Sequence, residues 1–150
     1  MTSEATPDFK PGFEGSARKA RDSFASHSMM HTLGAELSQI APGLCVVRAP
    51  ILPGSRQQHG YGHAGLTFSI GDTAAGYAAM TLMPEEKNVL TVEMKINLLA
   101  PAQGAYLIAT GRVIRPGRRL IVVQAEVTAQ DKEDADATPI ALMQGTIIAA

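Results

Sequence analysis

The alternation of apolar and polar positions is sharpest in the second half of the chain. From Val89 to Leu99, Leu90, Val92, Met94, Ile96 and Leu98 alternate with Thr91, Glu93, Lys95 and Asn97. A period of two predicts a strand with one buried face. Ala105 to Arg115, Leu120 to Gln130 and Ile140 to Ala149 read as three more strands. Pro101 to Gly104 and Pro116-Gly117 are the turns, and the acidic run Asp131 to Asp136 is a loop. Connections this short force antiparallel neighbours. Nearer the N-terminus, Gly34 to Ile40 and Leu44 to Ile51 flank a Pro42-Gly43 turn, and Pro50 and Pro53 end the second of these strands.

Between the two groups of strands, Ala64 to Leu82 has no polar face. It is rich in Ala, Gly and Thr, carries one charge, Asp72, and runs into Pro84. As a membrane span it is too poor in large apolar side chains, and a central Asp costs roughly 2.5–3.5 kcal/mol on insertion. A helix that is apolar all round must be buried all round. In a chain this short that requires a sheet curled about the helix, with a second subunit completing the cover. The expected class is α+β, with an antiparallel sheet of five to six strands. Ahead of the strands, residues 16–33 allow one or two short helices, capped by Ser16 and broken near Ser26 to Ser28, with Phe24, Met29, Met30 and Leu33 inward. Residues 1–15 read as a flexible tail, leaving 16–150 as a single domain.

Composition narrows the function classes. The 150 residues are 45% hydrophobic and 18% charged, with a formal net charge of −1. That is a globular chain without the basic excess of a nucleic-acid binder. One cysteine, Cys45, excludes a disulfide framework and a multi-cysteine zinc site. The first thirty residues hold no secretory apolar stretch, so a cytoplasmic location is expected.

Several motifs suggest chemistry and fail on context. Gly60, Gly62 and Gly65 spell a dinucleotide fingerprint, but the residues before them are Ser55 to His59 and the strands after are antiparallel. His59 and His63, like His27 and His31, are four apart, yet no carboxylate or cysteine completes a metal set. Ser69 lacks the first glycine of a nucleophile elbow. Arg115, Arg118 and Arg119 flank one hairpin, as a solvated turn or as a phosphate site. Asp72 is the strongest signal. A carboxylate among Ile70, Gly71, Ala74, Ala75 and Ala78 is expensive to bury unless paired or used, and its small neighbours leave room for a substrate.

The run from His59 to Ala74 resembles the PaaI-like hotdog thioesterases. That family opens its central helix with His-Gly-Gly and places an acid nine residues after the histidine, as His63 and Asp72 stand here. The likeness extends from about Gly34 to the C-terminus. Two positions depart from the pattern: the middle glycine is Ala64, and the family asparagine six residues before the histidine is Gln57, with Gln58 or His59 as other candidates. Thr91 matches the hydroxyl residue that faces the acid. The resemblance implies a hotdog sheet wrapped round the helix, assembly into dimers and commonly tetramers, and metal-independent hydrolysis of acyl-coenzyme A thioesters, with coenzyme A as part of the substrate and no separate cofactor.

Helix geometry adds an independent expectation. Gly65 and Asp72 are about 10 Å apart along a helix axis, too far to share one carbonyl. Two helices from two chains can share it, so the site is expected at a dimer interface. The expected roles are an oxyanion contact from the N–H groups of Ala64 and Gly65, Asp72 as base or nucleophile, Thr91 orienting it, and His63 shaping the helix start. Gln57, Gln58 or His59 would bind the carbonyl side, and Arg115, Arg118 or Arg119 the coenzyme A phosphates. A non-catalytic acyl-CoA binding module and a hotdog dehydratase or hydratase are the rival readings.

Overall fold

The computed structural model describes residues 8–133 and 135–150. Two short helices, α1 (Ser16–Ala25) and α2 (Ser28–Thr32), precede the hairpin β1 (Glu36–Ala41) and β2 (Leu44–Pro50). A single 3-10 turn at Pro53–Ser55 leads to the long helix α3 (Ala64–Met80). Four strands follow: β3 (Val89–Leu98), β4 (Tyr106–Pro116), β5 (Leu120–Gln130) and β6 (Thr138–Ala149). They form one antiparallel sheet in the order β1-β2-β4-β5-β6-β3.

The sheet curls round α3, as its lack of a polar face requires. Ile70, Ala74, Ala75, Ala78 and Ala79 are fully buried on it. Val47, Leu107, Val123, Val127, Met143 and Ile147 from the strands fill the same core. Gly111 on β4 permits the closest approach, because a Cβ there would sit inside the backbone of Ala74. The helices break at Ser26 and His27, within the expected interval. Gly15, not Ser16, is the N-cap of α1. Phe24 and Met30 are buried, but Met29, expected inward, is half exposed.

Two further expectations change. Residues 1–7 of the expected tail lie outside the described residues. Within 8–15, the Gly12 N–H donates to the Thr81 carbonyl at 2.8 Å and Phe9 packs on the core, so this stretch is tied to the C-terminal end of α3. The strict alternation along β3 is also interrupted. The pairing with β6 shifts between Thr91 and Glu93, and a bulge of one residue exchanges the two faces. Val89 and Thr91 therefore point to the helix before the bulge, and Met94 and Ile96 after it. Leu90, Val92 and Leu98, expected in the core, are exposed at 58%, 57% and 57%.

Candidate active site

The loop ahead of α3 builds its N-terminal tip. His63 is the N-cap, and its Nδ1 accepts the Gly65 N–H at 2.7 Å. That bond places the imidazole proton on Nε2. The Leu66 N–H donates to the His63 carbonyl at 2.9 Å. With Gly65 and Leu66 both engaged, Ala64 supplies the N–H at the tip that has no partner among the described residues. The expected pair of donors is thus one donor: Gly65 serves the cap. His63, Ala64 and Gly65 are all exposed.

Beside the tip, Gln57 is half-buried and lines a cavity of about 530 Å³ with Tyr61, His63, Ala64, Thr67 and Leu98. Its Oε1 accepts the His59 N–H at 2.5 Å. Because a backbone N–H demands an acceptor, the amide orientation is fixed and its NH2 group is left to donate. Gln58 and His59 are exposed and outside the lining. Of the three alternatives, Gln57 is the one beside Ala64.

Asp72 lies two turns further along α3. It is half-buried, not sequestered as its neighbours suggested. Its Oδ1 accepts the Thr91 hydroxyl at 2.7 Å, a contact made possible by the β3 bulge, and Oδ2 has no such partner among the described residues. A second cavity, of about 620 Å³, is lined by Asp72, Thr91, Gly76, Tyr77 and His27 among others. The small neighbours in the sequence signalled space, which is present, but the space is an open groove.

Along α3 the rise from Ala64 to Asp72 is about 12 Å, and the two cavities share no lining residue. One chain therefore holds the two groups apart, as expected. The arginine hairpin is more remote. Leu120 pairs with Ile148, which pairs with Leu90, whereas Gly62 bridges Ala102 beyond the other end of β3. Arg115, Arg118 and Arg119 thus stand at the Asp72 end of the sheet, away from Gln57 and His63 of the same chain. Among the described residues no three His, Cys, Asp or Glu side chains gather as a ligand set, and no helix is long and apolar enough to cross a membrane.

Comparison with known proteins bears on the whole assembly. The thioesterase superfamily model matches residues 59–135, just over half of the chain and the segment that carries His63, Asp72 and Thr91. The chain belongs to the thioesterase superfamily. The crystal structure of a thioesterase family protein from Silicibacter pomeroyi is 43% identical, with a TM-score of 0.86 over 90% of this chain and 98% of that one. The E. coli PaaI protein from the phenylacetic acid degradation operon shares the fold, with a TM-score of 0.77 at 21% identity over 90% of this chain and 94% of that one. The 1,4-dihydroxy-2-naphthoyl-CoA hydrolase of Listeria monocytogenes is 25% identical over 105 residues, 70% of this chain and 85% of that one. The six-stranded wrap about α3 is the hotdog fold of this superfamily.

The candidate site residues of this thioesterase-superfamily chain are unevenly legible in the sequence. His63, Asp72 and Thr91 stand out by spacing and likeness. The engagement of Gly65, and the wall that Ser23 of α1 lends to the second cavity, do not, because both depend on contacts that no local pattern encodes.

Proposed function

We propose that the protein hydrolyses acyl-coenzyme A thioesters to a free acid and coenzyme A, without a metal, at two sites across a homodimer. The observation that carries this reading is the placement of the two half-sites. The helix tip, with Ala64 and Gln57, opens beside Leu98 and Leu99, while the Asp72 groove opens beside Leu90 and Thr91. They flank opposite ends of the same edge strand, whose Leu90, Val92 and Leu98 are uncovered. An edge strand with exposed apolar side chains calls for a partner. A two-fold axis through β3 pairs it antiparallel with its copy and sets each helix tip against the partner subunit's Asp72 groove.

In that arrangement the Ala64 N–H and the Gln57 amide hold the thioester oxygen, and the positive end of α3 favours the charge that grows there. Asp72 of the facing chain takes a proton from water as it attacks the carbonyl carbon, or attacks first and is released by water. The C–S bond breaks and the thiolate of coenzyme A leaves. Thr91 fixes the carboxylate through Oδ1, leaving Oδ2 to react. The same two-fold operation brings the arginine hairpin of one chain to the helix tip of the other, where Arg115, Arg118 and Arg119 serve the coenzyme A phosphates.

Asp72→Asn tests the reading, since asparagine still accepts the Thr91 hydroxyl. Release of free thiol from an acyl-CoA panel is expected to fall about 10²–10⁴-fold with the melting temperature preserved. Unchanged turnover removes Asp72 from the chemistry. Tight acyl-CoA binding with no thiol release by the wild type identifies a non-catalytic binding module instead.

A further inference from the structure

The groove beside Asp72 continues along α3 past Gly76 to Tyr77 and Met80, and its far wall comes from α1 and the residues joining it to α2. These helices precede the segment matched by the superfamily model. They are firmly placed: Ala20 and Phe24 are buried, and Lys19 donates to the carbonyls of Glu85 and Lys87 at 2.6 and 2.5 Å. The wall is polar at one spot. Ser23 Oγ and Tyr77 OH are 3.0 Å apart, and the His27 ring stands 6.4 Å from that of Tyr77. His27 begins α2 without a side-chain capping bond.

We propose, on the basis of the hydrolase reading above, that this groove is the acyl pocket and that Ser23 and Tyr77, beside the His27 ring, select acyl groups ending in a hydroxyl or keto oxygen over plain alkyl chains of equal length. Two hydroxyls share one hydrogen bond and leave the second O–H without an acceptor among the described residues. Burial raises the pKa of the Tyr77 phenol, so it stays protonated and able to donate. An alkyl chain laid over this pair strands a donor, whereas an oxygen at the end of the chain accepts from it. The distance along the axis from Asp72 to Tyr77 is about 7.5 Å, the reach of a six-carbon acyl chain. Gly76 forms the waist between them. A Cβ there meets Val89 Cγ2 at 3.9 Å and nothing closer, so a larger side chain grows into the pocket.

The test compares hexanoyl-CoA with 6-hydroxyhexanoyl-CoA by thiol release, and their S-alkyl thioethers, which cannot be hydrolysed, by calorimetric binding. The wild type is expected to prefer the hydroxylated member by about tenfold or more in both assays. Ser23→Ala with Tyr77→Phe, which keeps the packing, is expected to bring the pair to near parity. Gly76→Leu is expected to lower turnover of both six-carbon substrates relative to acetyl-CoA. No preference in the wild type, or a preference that survives the double variant, overturns the proposal while leaving hydrolysis intact. Selective thioether binding without turnover upholds the pocket and removes the hydrolase reading. Failure of both thioethers to bind overturns the proposal.

Discussion

Single side chains decide the state of the helix tip. The His63 imidazole does the work of an Asn or Ser cap by accepting the Gly65 N–H. His63→Ala is expected to lower stability by about 1 kcal/mol, and His63→Asn to recover most of it, as read from thermal melts. Cys45 illustrates the opposite extreme. Burial pushes its thiol up to about 12, so the nucleophilic thiolate is absent at neutral pH. A thiol reagent is expected to leave the folded protein unlabelled and to label it fully once denatured; labelling of the native state would contradict this packing. At this scale the sequence singled out Asp72, His63 and Thr91 as candidates, and the structure brings the Thr91 hydroxyl onto Asp72. It could not reveal that Gly65 is engaged, because an imidazole reaching back two residues is a matter of rotamer. It also overstated the burial of Asp72, because small neighbours permit either a tight enclosure or an open groove.

At the scale of elements, the order of strands and helices follows from periodicity and turn residues, and the chain adopts it. The β3 bulge does not follow from them. Alternation alone puts Thr91 and Met94 on opposite faces, yet both point to α3 because one extra residue intervenes. Helix and sheet meet through glycines of different purpose. Gly111 lets the backbone of α3 touch β4, so Gly111→Ala must push the helix off the sheet; a loss of at least about 1–3 kcal/mol is expected. A Cβ at Gly76 would meet only Val89 Cγ2, at an ordinary contact distance of 3.9 Å. Gly76→Ala is therefore expected to gain about 0.5–1 kcal/mol through helix propensity. Denaturant titration of the two variants checks the contrast, and changes of equal sign would contradict the assigned contacts.

At the scale of the whole molecule, the two candidate half-sites flank opposite ends of the edge strand β3. In the proposed dimer each would supply what the other lacks: at one end an N–H without a partner among the described residues and an amide, at the other a carboxylate with a hydroxyl partner. The separation of Gly65 and Asp72 along α3 was legible from helix rise alone. The edge position of β3 was not, since sheet order depends on pairings between distant segments.

Subunit mixing tests the shared site most directly. Ala64→Pro removes the N–H at a helix position that accepts proline readily, and Asp72→Asn removes the reacting group. Each variant alone is expected to be nearly inactive. If the site spans two chains, a heterodimer of the two carries one intact site, and co-refolding equal amounts should restore about a quarter of wild-type turnover. Mixtures that stay as inactive as their parents, with heterodimers demonstrably formed, would contradict a site built from the helix tip of one chain and the carboxylate of its neighbour.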